Sequence, residues 1–153
     1  MIGKREEEYL EVIYDVIQEK GYAKVKDIAE ILDVGLSSVT EMFQKLDDKG
    51  YINYEKYSGV TLTDRGEEIA VALSEAHKVL KDFLIILGMD KELADEDACK
   101  IEHVVRRETM ERLTKFVDFI QSHEEPLWLE RFKKYYETGE MEECPKTLKD
   151  KND

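Results

Sequence analysis

Apolar residues recur at intervals of three and four along most of this chain, the spacing that places side chains on one face of an α-helix. The pattern predicts seven helices, of which the second and third are joined by a short turn ending in Gly35 and so form a helix-turn-helix. The predicted helices run from Glu6 to Gln18, from Val25 to Leu32, from a cap at Ser37 or Ser38 to Lys49, from Asp64 to Leu87, from Lys91 to Arg106, from Thr109 to Gln121 and from Pro126 to Tyr136.

Between the third and fourth predicted helices the pattern changes to β-prone residues. Two short runs, residues 51–54 and 60–63, flank a turn and predict a hairpin. A helix-turn-helix followed by a hairpin is a winged helix. We therefore expect a mainly α protein, with an N-terminal winged helix-turn-helix domain over residues 1–70, an all-helical dimerisation domain over residues 71–138, and a loose tail over residues 139–153.

Composition narrows the classes of function. No apolar stretch approaches the roughly 20 residues that a membrane span needs, so we expect a soluble cytoplasmic protein with no membrane partner. The two cysteines, Cys99 and Cys144, are too few for a disulfide framework, and Cys144 is expected to be a solvated thiol of the tail. The net charge of −13 argues against indiscriminate nucleic-acid binding, because phosphate affinity comes mainly from Lys and Arg.

A sequence-specific DNA contact is still compatible with an acidic chain if a small part of its surface supplies it. The third predicted helix is the one that a helix-turn-helix places in the major groove, and the wing tip reaches the backbone or the minor groove. The candidate contact residues are short hydroxyls, an amide, two lysines and a tyrosine. They are Ser37, Ser38, Thr40, Gln44 and Lys45 on the helix, and Lys56 and Tyr57 on the wing.

Cys99, Glu102 and His103 have the spacing of half a metal site. On a helix these positions share one face, and a thiolate, a carboxylate and an imidazole are all ligands for a divalent transition metal. The alternative is a solvated Glu-His pair beside a small buried cysteine, because both are common in a chain with 39% charged residues.

Three further residues favour the metal interpretation when they are taken with the first three. Glu8 and Glu11 lie one turn apart on the first predicted helix, and His77 lies on the long fourth helix. Each has an ordinary explanation, as surface carboxylates and as a core histidine. Together with Cys99, Glu102 and His103 they could close a site that ties the two domains to each other.

An ordered set of motifs resembles the diphtheria-toxin-repressor family of metal-dependent transcriptional repressors. The motifs are Glu-Tyr-Leu-Glu-Val-Ile-Tyr near the start, Ile-Ala-Glu-Ile-Leu-Asp-Val before Ser-Ser-Val-Thr, Tyr-Glu-Lys-Tyr-Ser-Gly-Val-Thr-Leu-Thr-Asp-Arg-Gly, and Ile-Glu-His. The layout is most similar to the two-domain manganese-transport branch of that family. The resemblance covers about residues 5–137, and it implies metal ligands at Glu8, Glu11, His77, Cys99, Glu102 and His103.

The identity of the metal depends on Cys99 and Glu8. The manganese branch has glutamate at the position of Cys99 and aspartate at that of Glu8, whereas the iron regulators have cysteine and methionine there. A thiolate makes the ligand set softer than manganese prefers. We therefore expect Fe²⁺ to be favoured and Mn²⁺ to be possible, with Zn²⁺, Co²⁺ or Ni²⁺ substituting in vitro. The sequence is compatible with one metal ion per protomer or with two metal ions bridged by Glu102.

The resulting hypothesis is a metal-activated, homodimeric transcriptional repressor of iron or manganese homeostasis genes. A symmetric dimer would read a palindromic double-stranded operator. The alternative is a metal-independent winged-helix regulator or protein-interaction module. An enzyme that uses Cys99 as nucleophile is not expected, because no oxyanion motif or orienting third residue accompanies it.

Overall fold

A computed structural model describes residues 2–143 of the chain. Within that range there are seven α-helices and one two-stranded antiparallel sheet, in the predicted order and number. The elements are α1 (Lys4–Lys20), α2 (Val25–Leu32), α3 (Leu36–Asp48), β1 (Ile52–Glu55), β2 (Gly59–Leu62), α4 (Asp64–Ile86), α5 (Lys91–Ile101), α6 (Arg107–Gln121) and α7 (Leu127–Thr138). The mainly α fold with a winged helix-turn-helix is thus confirmed.

Two predicted helix boundaries are wrong. Neither Ser37 nor Ser38 caps α3, because the extended residue before the helix is Gly35 and both serines lie in the first turn. The fifth helix ends at Ile101 rather than Arg106, with Glu102 as its C-cap. Glu102 keeps helical dihedral angles, but His103 lies in the turn that follows. Charged and β-branched residues fill that turn, and the apolar period alone did not reveal it.

The core of the N-terminal half is formed by α1, α2, α3 and the hairpin. Its largest fully buried side chains include Leu10 and Ile13 from α1, Phe43 and Leu46 from α3, and Ile52 from β1. The strands pair in the register Ile52↔Leu62 to Glu55↔Gly59, which gives a short wing. Helix α3 therefore shares one core with α1, the helix that carries Glu8 and Glu11.

The long helix α4 connects the two halves and packs against α1, α5 and α6. Its first turn passes so close to the hairpin that a β-carbon added at Gly66 would lie 1.9 Å from the carbonyl oxygen of Tyr51. Only glycine permits that approach. Because α1 and α5 both rest on α4, residues from the two halves of the chain meet along its length.

None of the helices in the described range is long and apolar enough to cross a membrane. The described part of the predicted tail, residues 139–143, contains no helix or strand. The rest of that tail, including Cys144, lies outside the described residues.

A buried carboxylate joins α1 to the recognition helix. Glu6 is 3% exposed, and its Oε1 accepts hydrogen bonds from Lys49 Nζ at 2.6 Å and lies 3.1 Å from Lys45 Nζ. Its Oε2 accepts from the backbone N–H of Gly3 at 2.8 Å. Burial by itself would raise the pKa of Glu6, but the hydrogen bonds from Lys49 and Gly3 outweigh it and lower that pKa to about 2.

We expect Glu6→Gln to lower the free energy of unfolding at neutral pH by about 2 to 3 kcal/mol, because the charged partner of both lysines is lost. Since the pKa of Glu6 is depressed, its contribution is present above pH 4.5 and is lost as the pH falls towards 2. Urea unfolding at several pH values measures this. The exposed pair Arg107–Glu111 is the control, because Glu111→Gln should cost less than about 1 kcal/mol.

Candidate metal centre and DNA-binding surface

The strongest candidate site lies where α1, α4 and the end of α5 meet. His77, on α4, has its Nδ1 at 2.8 Å from Glu102 Oε2 and at 3.6 Å from Cys99 Sγ. Its other ring nitrogen, Nε2, lies 2.9 Å from Asp95 Oδ1. Ligand atoms of His77, Cys99 and Glu102 all fall within 4.8 Å of one another.

A second group of ligand atoms shares Glu102 with the first. His103 Nε2 lies 3.3 Å from Glu102 Oε1 and 4.0 Å from Glu11 Oε2. Ligand atoms of these three residues also lie within 4.8 Å of one another. His103 Nδ1 lies 2.8 Å from Glu7 Oε2. Thus one carboxylate, Glu102, stands between two imidazoles, one from each group.

The carboxyl group of Glu102 is destabilised as an anion. Its side chain is fully buried, and its Oε1 has no hydrogen-bond partner among the described residues. Burial, reinforced by the neighbouring carboxylate of Glu11, raises the pKa of Glu102 to about 10. Burial, followed by repulsion from Glu102 and Glu11, raises the pKa of the Cys99 thiol to about 11.

A divalent transition metal fits this donor set. Carboxylate, imidazole and thiol groups converge, several of them destabilised as anions, and a buried carboxylate oxygen is left without a partner. The same electrostatics disfavour Cys99 as a nucleophile, because an activated thiol needs a lowered pKa.

The structure brings together five of the six residues expected as ligands. Glu11, His77, Cys99, Glu102 and His103 belong to the two groups. Glu8 does not: its Oε2 forms an ion pair with Arg5 at 2.8 Å, although the side chain lines the same cleft as Glu11 and Cys99. The expected i, i+3, i+4 face is also divided, since Cys99 lies beside His77 while His103 turns towards α1.

Two acidic residues that were not among the expected ligands, Glu7 and Asp95, lie next to the two groups. Glu7 contacts His103, and Asp95 contacts both His77 Nε2 and Lys81 Nζ. Hydrogen bonds from His77 and Lys81 lower the pKa of Asp95. The spacing of Glu7 and Glu11, one helical turn apart, was a signal for the first; nothing in the local sequence marked Asp95.

The candidate DNA-contact residues lie on α3 and at the tip of the wing. Ser37, Ser38 and Gln44 are exposed, whereas the hydroxyl of Thr40 donates to the carbonyl of Leu36. Lys45 is half-exposed, but its ammonium group is held at Glu6. On the wing, Tyr57 is 90% exposed in a left-handed backbone conformation, with Lys56 Nζ 5.3 Å from its ring centre.

Two lysines near the wing were not among the expected DNA contacts. Lys24 and Lys26, at the start of α2, line a groove together with Lys56 and Tyr57. Their positive charges therefore lie on the same side of the molecule as the exposed residues of the wing.

An apolar surface is exposed on the C-terminal helices. It comprises Phe116 and Phe119 of α6 and residues of α7, and the ring centres of Phe116 and Trp128 lie 6.3 Å apart. The exposed apolar and aromatic residues of α7 are Leu127, Trp128, Phe132, Tyr135 and Tyr136.

Two family models match the chain in succession. The first, described as iron dependent repressor, N-terminal DNA binding domain, matches residues 1–60. The second, the iron dependent repressor metal binding and dimerisation domain, matches residues 63–126. The chain belongs to the iron-dependent repressor family. The diphtheria-toxin-repressor resemblance drawn from the motifs is thereby confirmed.

Relatives within the family carry the name HTH-type transcriptional regulator MntR. The protein of Bacillus pumilus is 45% identical over 119 residues, which cover 78% of this chain and 83% of the relative. The protein of Geobacillus thermodenitrificans is 42% identical over 135 residues, or 88% of this chain and 96% of the relative. A solved manganese-dependent transcriptional repressor in complex with manganese has a TM-score of 0.68 at 31% identity; the match covers 74% of this chain and 53% of that one.

As a member of this family, the protein is a metal-responsive, DNA-binding transcriptional repressor of metal homeostasis. It binds a divalent metal and an operator on DNA, and it forms a homodimer. The family is one of transcriptional regulators. The hypothesis of metal-dependent regulation is therefore confirmed over the metal-independent alternative.

Proposed function

We propose that Glu11, His77, Cys99, Glu102 and His103 hold divalent metal in two adjacent positions that share Glu102. The observation that carries the proposal is the buried carboxyl group of Glu102, which lies between two imidazoles and whose Oε1 has no hydrogen-bond partner in the described range. A bound cation would supply positive charge beside Oε1, which no hydrogen-bond donor of the described residues satisfies.

We include Glu8 in the ligand set. The ion pair that holds it to Arg5 is exposed, so its loss costs less than about 1 kcal/mol. Glu8 and Glu11 lie on the same helix, and Glu8 already lines the cleft that contains Cys99 and His103. Rotation of one side chain is then enough to add a carboxylate to the site.

The mechanism we propose is linkage between the site and the orientation of the DNA-binding half. Glu8 and Glu11 belong to α1, which shares one core with α3, whereas Glu102 and His103 follow α5 in the other half. Without a cation the buried Glu102 carboxyl keeps its proton, so no ionic link runs from it to the carboxylates of α1. A cation that replaced this proton and also bound Glu11 would fix α1 against α4 and α5, and therefore fix α3 relative to the dimer. In this proposal the two linked domains are the winged-helix domain, residues 1–70, and the helical domain, residues 71–138.

We propose that Fe²⁺ is the favoured metal and that Mn²⁺ also activates. The support is chemical: two imidazoles and the thiol of Cys99 make a softer set than carboxylates alone. The MntR name and the manganese-bound structure belong to relatives, and they favour manganese. In our proposal the Cys99 thiol is the reason that Fe²⁺ is preferred over Mn²⁺.

Replacement of the thiol tests the choice of metal. We expect Cys99→Glu to shift the ratio of Mn²⁺ to Fe²⁺ affinity towards Mn²⁺ by about tenfold, because an oxygen donor replaces sulfur. Anaerobic competition titrations of the wild-type protein and the variant measure that ratio. Lys100→Glu, an exposed neighbour outside both groups, controls for added negative charge. An unchanged ratio would remove the argument for iron.

For DNA, we propose that Ser37, Ser38, Thr40 and Gln44 of α3 contact the major groove. Lys45, Lys56 and Tyr57 contact the backbone or minor groove, with Lys24 and Lys26 beside them. The exposure of the serines and of the wing tip supports this assignment. Two heads related by the symmetry of the dimer would read a palindromic operator with half-sites about one helical turn apart.

The wing lysine offers a test that does not require knowledge of the bases read. We expect Lys56→Ala to weaken binding to all DNA sequences and to reduce the dependence of log K on log salt by about 0.9, the value for one phosphate contact. Fluorescence anisotropy at several salt concentrations measures both. Lys115→Ala, on α6, should leave the salt dependence unchanged.

The proposed function as a whole is tested by anaerobic titration with Fe²⁺, Mn²⁺ and Zn²⁺. Metal per protomer and binding to a DNA fragment selected from a random pool are recorded on the same samples. We expect up to two metal ions per protomer and DNA binding that follows metal occupancy. Wild-type affinity for metal in a His77→Ala, His103→Ala double variant would refute the ligand set.

A further inference from the structure

One contact between the two halves of the chain has no role in the ligand set. Glu7 Oε2 lies 2.8 Å from His103 Nδ1, and the two residues are 96 positions apart in the sequence. The His103 side chain is 2% exposed and that of Glu7 is 21% exposed, so the contact is largely shielded from water. Glu7 belongs to neither group of candidate ligands.

The contact determines which ring nitrogen of His103 faces the metal centre. With Nδ1 directed at the Glu7 carboxylate, Nε2 is directed at Glu102 Oε1, 3.3 Å away, and at Glu11 Oε2, 4.0 Å away. A carboxylate at 2.8 Å accepts a hydrogen bond and cannot donate one, so the proton of the neutral ring belongs on Nδ1. The lone pair of Nε2 is then free to bind a cation.

We infer that Glu7 is a positioning residue for the metal centre: it fixes the tautomer and the orientation of His103 from the opposite domain, without binding the metal itself. Carboxylates that hold the second nitrogen of a metal-binding imidazole raise its basicity and orient its ring. The inference rests on the proposed role of His103 as a ligand. It adds that α1 contacts the C-terminal half of the site through Glu7 as well as through the ligands Glu8 and Glu11.

A comparison of Glu, Gln and Ala at position 7 distinguishes the effect of the hydrogen bond to His103 from that of the negative charge. In Glu7→Gln the amide oxygen can still accept from Nδ1–H, whereas in Glu7→Ala nothing can. We expect Glu7→Ala to weaken Zn²⁺ binding by about 10- to 100-fold, and Glu7→Gln by clearly less. Glu19→Ala, an exposed carboxylate near the end of the same helix, should have no effect. Isothermal titration with Zn²⁺ alone measures the affinities.

The tautomer supplies a readout that does not depend on bound metal. Long-range ¹⁵N–¹H spectra of the metal-free protein, at a pH where the ring is neutral, should show His103 protonated on Nδ1 in the wild type and in Glu7→Gln. In Glu7→Ala the proton should move largely to Nε2, with circular dichroism confirming that the variant is folded. The inference is overturned if Glu7→Ala keeps the Nδ1 proton, binds Zn²⁺ within twofold of wild type, or loses no more affinity than Glu7→Gln. Undiminished binding by His103→Ala would instead refute the ligand set.

Discussion

Glu102→Gln is expected to abolish binding at both metal positions and to leave the metal-free fold intact. Glu102 is the residue that the two groups share, so its loss removes a ligand from each. We expect metal affinity to fall by more than about 100-fold, since both a ligand and its charge disappear at a buried site. Binding to DNA should then no longer respond to metal.

The fold is expected to survive for an electrostatic reason. Because the pKa of Glu102 is raised to about 10, the metal-free protein holds this side chain protonated at neutral pH. An amide has the same shape and no charge, and its N–H can donate to His77 Nδ1, which lies 2.8 Å from Glu102 Oε2. The melting temperature of the metal-free variant should therefore be no lower than that of the wild type.

The effect of Glu102→Gln on the stability of the metal-free protein should depend on pH in a defined direction. A carboxyl whose pKa is raised on folding stabilises the protein below its unfolded value of 4.5, and that contribution is lost as the pH rises towards about 10. Glu102→Gln should remove this loss, so the metal-free variant should be the more stable protein at pH 9. The exposed Glu96→Gln, on the rim of the same cleft, is the control. A variant that still binds metal like the wild type would show that Glu102 is not shared.

Metal affinity is expected to rise steeply with pH. The pKa of Glu102 is raised to about 10 and that of Cys99 to about 11, so both groups are protonated in the metal-free protein at pH 7. Both must lose their protons to act as ligands. Binding should thus release up to two protons, and the apparent affinity should increase by up to about 100-fold per pH unit near neutrality.

Calorimetric titration in buffers of different ionisation enthalpy counts the released protons directly. The wild-type protein should release about two, and Cys99→Ala about one, because the thiol no longer contributes. Glu102→Asp, which keeps a carboxyl group, should retain the steep dependence if it still binds. Release of no protons by the wild type would mean that Cys99 and Glu102 are already ionised, contrary to the raised pKa of both groups.

The order of elements was predictable because each helix buries an apolar stripe with a period near 3.6 residues. Thus α1, α4 and α6 follow directly from the spacing of their apolar residues, and the β-prone runs that become β1 and β2 are bounded by polar and glycine residues. The ends of the helices were harder to predict from the sequence. Gly35 rather than a serine precedes α3, and the end of α5 at Ile101 depends on a turn whose residues are not apolar.

The candidate site shows the same division between local and tertiary information. Spacing and resemblance identified Glu11, His77, Cys99, Glu102 and His103, which the structure brings together. They did not reveal the neighbours of these residues. The Glu8–Arg5 ion pair, the Glu7–His103 contact and the Glu6–Lys45 pair depend on how α1 lies against α3 and α5, which no periodicity encodes.

The most direct test of the account is the affinity for operator DNA with and without metal. A DNA fragment selected from a random pool by the metal-loaded protein is titrated anaerobically with the metal-free, Fe²⁺-loaded and Mn²⁺-loaded protein, and with Glu102→Gln under the same conditions. The account predicts that metal tightens DNA binding of the wild type by about 5- to 150-fold and that Glu102→Gln stays at the metal-free value. Equal affinity of the metal-free and metal-loaded wild type would contradict it.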